Sequence, residues 1–293
     1  MSGMITVFWK ELADNFTSWR FLILFALVFG ISILAIYIDA QYIKEAVTET
    51  RFVFLQLYTT SGQALPLFIF FIAFFMPIVG IALGFDAINS EKNSGTLSRL
   101  LSQPIYRDVV INGKFLAGVV TMAIMLVSVV MIVAGIGLRI IGVPPSSEEV
   151  IRLMAFLAIS IVYGAFWLGL AILFSILFRR VATSALASIA AWMFFIFMFA
   201  FPFFTQLGQL GLRVMQASPI TLFWQVIMVL LVPGARTLGQ IAETGVGGTP
   251  TSALSVDQSL LIVWPHLVSL LALTVVCFAI SYIRFMREEI RST

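Results

Sequence analysis

The feature that most constrains this chain is a set of long apolar runs. Residues of about 21–38, 66–84, 115–138, 150–178, 182–204 and 260–283 are each long enough to cross a bilayer as a helix, and each is nearly free of charge. Lipid offers the backbone no hydrogen bonds, so such runs must satisfy their own polar groups and form helices. The expected fold class is therefore all-α: a polytopic membrane protein of six transmembrane helices, one transmembrane domain over residues 1–293. Composition agrees. The chain is 61% hydrophobic and 11% charged, where a soluble domain carries about a quarter charged residues. The net charge of +3 comes from Lys and Arg at the flanks of the runs. No basic stripe with interleaved aromatics points to nucleic acid. Pro77, inside the second run, is expected to kink that helix.

The flanks set the remaining topology. Residues 1–20 read as an amphipathic connecting helix. Ile5, Phe8, Trp9, Leu12 and Phe16 line one side, and Lys10, Glu11, Asp14 and Asn15 the other. The segment is too short and polar to span, so it is expected in the headgroup plane. It lacks the apolar core and cleavage site of a signal peptide. With the N-terminus inside, 11 of the 17 Lys and Arg fall on the inner side, crowded at the span ends. This predicts a plasma-membrane protein with both termini cytoplasmic. Residues 205–258 then form an outer segment. Within it Ile220–Val232 is apolar but short, bracketed by Pro219 and Pro233-Gly234, and is expected as an outer re-entrant helix. A seventh span there would put the basic tail outside.

Residues 86–114 are the one long polar interruption with helical character. Leu97, Leu100 and Leu101 fall at i, i+3 and i+4 and share one helix face. Asn93, Ser94 and Gly95 are suitable entry residues, and Pro104 stops the helix. A second helix restarts near Tyr106–Asp108. A small amphipathic helix hung between two spans is a docking surface on the cytoplasmic side.

The spans hold little chemistry. His266 is the ionisable side chain within them, read as interfacial, and Cys277 has no partner for an intrachain disulfide. No His-Glu-x-x-His, paired carboxylates or Gly-x-Ser-x-Gly occur, so metal and hydrolase sites are not expected. Gly113-Lys114 is followed by Phe115 where a phosphate loop needs Ser or Thr, so the chain is expected to be no enzyme and to bind no cofactor itself. In the fifth run Ser184, Ala187, Ser188 and Ala191 form a small-residue face that continues to Phe195 and Met198. Those last two either line an adaptable apolar cavity or pack and face lipid. Ser160-x-x-x-Gly164 and Ala165-x-x-x-Gly169 read as helix-packing motifs.

The loop resembles the ABC-2-type permease family, the membrane subunits of ATP-binding-cassette exporters. The matching residues are Glu91, Gly95-Thr96, Leu100-Leu101-Ser102, Pro104-Ile105, Arg107, Ile111 and Gly113-Lys114-Phe115. Phe85-Asp86-Ala87-Ile88 with Glu91, and the tail Phe285, Arg287, Glu289-Ile290-Arg291, are also similar to the permease subgroup of nitrous-oxide-reductase maturation transporters. The resemblance implies a type V exporter architecture: a homodimer of six-span permeases with two ABC ATPase subunits, which would hold the ATP and Mg. It implies that Gly95–Gln103 is a coupling helix seated in the ATPase. Thr96 and Pro104 belong to the motif, Leu97, Leu100 and Leu101 would give apolar contact, and Glu91, Arg99 and Arg107 would give charge pairing there or with the N-terminal helix. A path between spans 2 and 5 would involve Pro77, Phe195 and Met198. The sparse polarity of the spans favours an apolar or amphipathic substrate. The alternative is an assembly or signalling subunit that couples ATP hydrolysis to an extracytoplasmic partner without moving a solute.

Overall fold

A computed structural model describes residues 2–45, 54–55, 58, 67–96, 106–142, 144–201, 208–231 and 254–287. Among these residues the fold is all-α, with no strand. The helices are α1 (Ser2–Thr17), α2 (Trp19–Glu45), α3 (Leu67–Gly84), α4 (Asn89–Asn93), α5 (Arg107–Ile141) and α6 (Ser147–Leu177). There follow α7 (Val181–Ala200), α8 (Gly208–Gln216), α9 (Pro219–Leu231) and α10 (Val256–Arg287). Six of them are long and apolar enough to cross a membrane, and α8 with α9 forms a pair bent by 69°. The end of the bundle that carries residues 85–96 and 106 is called the loop end below, and the opposite end the far end.

The bundle is built around α6, the most buried of the six long helices. Its first turn is fixed by a capping box. Ser146 Oγ accepts from the Glu149 backbone N–H, and the Glu149 side chain accepts from the Ser146 backbone N–H. The Ser146-x-x-Glu149 spacing is a signal readable from sequence, in a segment expected only as a turn. At its other end α6 packs on α3 almost backbone to backbone. A Cβ on Gly80 would lie 2.9 Å from the Gly164 carbonyl oxygen, and one on Gly84 would lie 2.8 Å from Ala171 Cβ. Small residues one turn apart permit this approach, and dispersion across it holds helices together where lipid gives no hydrophobic drive. Gly164 itself is roofed by Met76 and Met122. Gly118 of α5 faces Leu168 with a Cβ position only 2.6 Å from Leu168 Cδ2. Hence α3, α5 and α6 converge on one tight seam.

Pro77 sits inside α3, and the helix continues unbroken around it. The proline has no N–H, so the carbonyl of Ala73, four residues earlier, loses its helical donor. The Tyr163 hydroxyl of α6 donates to that carbonyl at 3.0 Å. A neighbouring helix thus repairs the bond that proline removed, which is how membrane helices accommodate it. Tyr163 also stacks on Phe223 of α9, with ring centroids 4.2 Å apart.

α9 is short, apolar and buried along nearly its whole length, so it packs inside the bundle. Its Leu230 carbonyl lies against Arg152 near the start of α6, while Phe223 lies against Tyr163, three turns further along. It therefore runs antiparallel to the first half of α6 with its N-terminus pointing into the bundle. α10 closes the other side of α6. Ser281 Oγ donates to the Gly169 carbonyl at 3.2 Å, and Phe278 stacks on Phe115 of α5. In contrast α7 and α10 leave most of their apolar surface uncovered, including Leu186, Phe194, Phe197, Leu261, Val275 and Ile283. That is the surface a membrane-spanning chain gives to lipid or to another membrane helix.

The hydroxyl of Tyr163 can be tested alone. Tyr163→Phe is expected to lower stability in detergent by about 1–3 kcal/mol, the cost of an orphaned buried carbonyl. In a Pro77→Ala background, where the missing N–H returns, the same change should cost far less. Denaturation of the four chains of this cycle reads the difference directly.

Candidate functional site

At the loop end α1 lies across the start of α5, and sequence explains why it can. Gly113 presents no side chain there: a Cβ on it would lie 2.8 Å from Val7 Cγ1. Two turns along, Asn15 Nδ2 donates to Thr121 Oγ1 at 3.2 Å, and Phe16 packs edge-on against Phe21. The polar face of α1 is therefore turned inward at this point, toward the residue after Gly113.

That residue is Lys114. Its side chain is only 6% exposed, and its Nζ sits 2.8 Å from both Glu11 Oε1 and Glu91 Oε1. Lys10 lies 3.0 Å from Glu11 and 3.6 Å from Glu91. Two carboxylates and two ammonium groups thus join α1, α4 and α5. Burial raises the energy of the Glu11 carboxylate. The adjacent Lys114 charge and hydrogen bond, helped by Lys10, more than reverse this and hold its pKa below the ordinary value. Partial burial disfavours the Lys10 cation, but Glu11, Glu91 and Asp14 outweigh it and hold its pKa above the ordinary value. The pairing is short, multiple and shielded from solvent, unlike an exposed ion pair of negligible worth.

The turn between α3 and α4 is fixed from α6. Ser175 Oγ accepts from the N–H groups of Ile88 and Asn89 at 3.0 and 3.1 Å, capping α4 in trans. Asn93 Nδ2 donates to the Arg179 carbonyl at 3.1 Å. Arg20, at the α1–α2 elbow, pairs with Asp86 and lies over the Phe85 ring. Asn93, Ser94 and Gly95 were expected to open a helix; they close α4, and Thr96 directly after them is helical again. Ser94 caps α4, and Gly95 has φ +70, the left-handed value that ends helices. The same small polar residues thus end one helix and precede the next.

Of the expected coupling residues, Glu91 lies in the ion-pair cluster, Gly95 and Thr96 follow α4, and Arg107 opens α5 half-buried. Leu97, Arg99, Leu100, Leu101 and Pro104 lie outside the described residues. Of the expected path residues, Pro77 and Met198 are buried, and Phe195 packs edge-on against Trp167 at 5.9 Å. Phe74 of α3 meets Trp192 of α7 at 5.0 Å. Among the described residues no group of three or more His, Cys, Asp or Glu is arranged to hold a metal.

A second polar cluster, at the far end, was missed. The sequence reading put Arg152 among the outer flanking charges and took His266 as the ionisable residue of the spans. Instead Arg152 is fully buried. It donates to the carbonyls of Leu230 and Leu254 at 2.6 Å each, to Ser259 Oγ at 3.2 Å, and pairs with Glu148 at 3.1 Å. One turn earlier the buried Glu149 accepts from the N–H groups of Phe54 and Leu55. The two side chains tie the end of α9, the start of α10 and residues 54–55 to α6. Apart from Glu148 at i−4 and Ser259, these partners are backbone carbonyls and N–H groups of distant segments, which no side-chain pattern announces.

Among the described residues, then, the chain is a bundle of six helices able to cross a membrane, with the segment after α3 tied by buried ion pairs to its N-terminal helix. The chain belongs to the ABC-2 family transporter proteins, matching that family over residues 5–290, and is thus the membrane subunit of an ATP-binding-cassette transporter. It is 28% identical over 197 residues to the probable ABC transporter permease protein NosY of Pseudomonas aeruginosa, covering 66% of this chain and 67% of that one. A permease of this class works with a separate ATPase subunit.

Lys114→Met leaves Glu11 and Glu91 buried with only Lys10, so α1 should come loose from α5, at a cost of about 3–5 kcal/mol. A spin label at position 5 should report the gain in mobility. The wild-type contact gives its full stabilisation above the ordinary Glu pKa of about 4.3 and loses it as pH falls through the lower folded value of Glu11. In Lys114→Met that acid transition should move to higher pH. At the far end Arg152→Leu should speed amide exchange over 219–231 and leave residues 2–17 unchanged.

Proposed function

We propose that this chain is the permease of an ATP-driven exporter of an apolar or amphipathic substrate. Its ATPase docks on the helix expected at 95–103, and loop end and N-terminus face the cytoplasm of a plasma-membrane protein. The observation that carries this reading is the Lys114 hub. The docking segment begins directly after α4, and α4 is tied through Glu91 and Lys114 to both α1 and α5. A push on residues 95–103 by a closing ATPase dimer would be passed to the membrane helices at once, because the linkage is buried, charged and short. Ser175 and Arg179 extend the linkage to α6, on which α3, α9 and α10 rest.

In this reading the chain supplies no residue to ATP chemistry; ATP and Mg belong to the partner. A second copy would complete the path, with the uncovered side chains of α7, such as Phe194 and Phe197, turned toward it. The weak polarity of the spans supports an apolar or amphipathic cargo, and the similarity to a probable ABC permease supports the partner ATPase.

The test is purification from native membranes with its partners. An ATPase subunit should accompany the wild-type chain in equal amount. Leu100→Asp with Leu101→Asp should lose it, while the spans stay folded by thermal melt. Lys114→Met should keep the ATPase but lower transport-linked hydrolysis severalfold. A Leu100→Asp, Leu101→Asp chain that retains its ATPase at full activity would remove the coupling-helix assignment.

A further inference from the structure

The ion-pair hub does not fill the space beside it. A cleft of about 190 Å³ is walled by Lys10, Asp14, Glu91 and Lys114. It adjoins one of about 330 Å³ between the α1–α2 elbow and the end of α3. Asp14, Asn15, Leu83 and Asp86 line both, so the two form one groove. The walls change character along it. The hub end is charged, and the other end is lined by Phe21, Leu24, Ala82 and Leu83. That apolar end lies between α2 and α3, which cross the membrane, whereas the charged end lies under the interfacial α1. Charge at headgroup depth leading to carbon at acyl depth is the profile of an amphiphile.

The protein leaves specific valences open there. The Asp14 side chain is 62% exposed, and its ion-pair contact is a 3.5 Å one to Lys10. The Arg20 side chain is 59% exposed and commits Nη1 to Asp86, so further N–H donors remain. Glu91 Oε2 has no donor among the described residues. Four carboxylates (Glu11, Asp14, Asp86 and Glu91) face three cations (Lys10, Arg20 and Lys114), a net charge of −1. A ligand that completes this set brings a positively charged N–H donor for Asp14, an anionic oxygen for Arg20 and an apolar chain for Leu24 and Leu83.

We propose that the groove binds a membrane phospholipid with a primary-amine headgroup, of the phosphatidylethanolamine type. Its ammonium sits at Asp14 and the rim of Asp86, its phosphate at Arg20, and its first acyl carbons run between α2 and α3. The proposal requires only that α2 and α3 span the membrane, and stands apart from the docking of an ATPase.

The experiment is native mass spectrometry of the purified full-length chain, exchanged with equal mixtures of two lipids of identical acyl chains. Phosphatidylethanolamine should be retained about tenfold over phosphatidylcholine, in which methyl groups replace every ammonium N–H while charge and phosphate remain. Phosphatidylglycerol, with phosphate but no amine, should rank with phosphatidylcholine. Asp14→Asn, which leaves the Lys114 hub intact, should reduce the preference to about twofold or less. Leu24→Trp, which fills the apolar arm, should lower retention of all three lipids. Equal retention of the amine and choline lipids by the wild-type chain would overturn the proposal, as would an unchanged preference in folded Asp14→Asn. Displacement of the lipid by soluble phosphoethanolamine at millimolar concentration would also overturn it, since headgroup recognition without the acyl arm is then enough.

Discussion

The close approach of α3 to α6 is the contact on which the rest of the structure depends. Gly80 and Gly84 bring two backbones together at a distance that any side chain would forbid. That proximity has consequences at both ends of the pair. It lets Tyr163 reach the carbonyl freed by Pro77, and it puts Ser175 under the first N–H groups of α4. In lipid, unlike water, apolar area alone does not drive helices together, so shape and hydrogen bonds must. Small residues here do the work that a hydrophobic core does in a soluble domain.

The two polar clusters are placed on that frame at opposite ends. At the loop end, Lys114 gathers carboxylates from α1 and α4 and ties both helices to α5. At the far end, Arg152 gathers backbone carbonyls and holds α9 inside. Both are buried cations, and neither is isolated: each is surrounded by acceptors, as the cost of desolvating a charge demands. The difference is in what they bind. Lys114 binds charged side chains and so couples elements whose contact depends on pH. Arg152 binds mainly backbone and so fixes a geometry.

Legibility in the sequence followed the range of the interaction. The amphipathic α1, the six spans and the short apolar α9 were readable because each depends on residues within a few turns. The motif after α4 was readable as a resemblance, yet its Glu91 and Gly113-Lys114 gained a physical meaning only when Val7 and Glu11 were seen against them. That Asn93–Gly95 also end α4 was not legible, because helix starts and stops share residue types. The burial of Arg152 was not legible because a flanking arginine and a buried one look alike in sequence, and two of its partners are the carbonyls of Leu230 and Leu254.

The sequence by itself determined that this chain lives in a membrane and spans it as helices. An apolar run that long leaves the backbone no other way to satisfy its hydrogen bonds. It also determined which segment resembles a docking element, through local spacing and type. Only the tertiary structure decided that Pro77 is repaired by Tyr163, that α9 stays inside the bundle, and that Lys114 and Arg152 are hubs. Those outcomes depend on atoms brought together from residues roughly 80–110 positions apart, and periodicity within a helix carries no record of what will lie across from it.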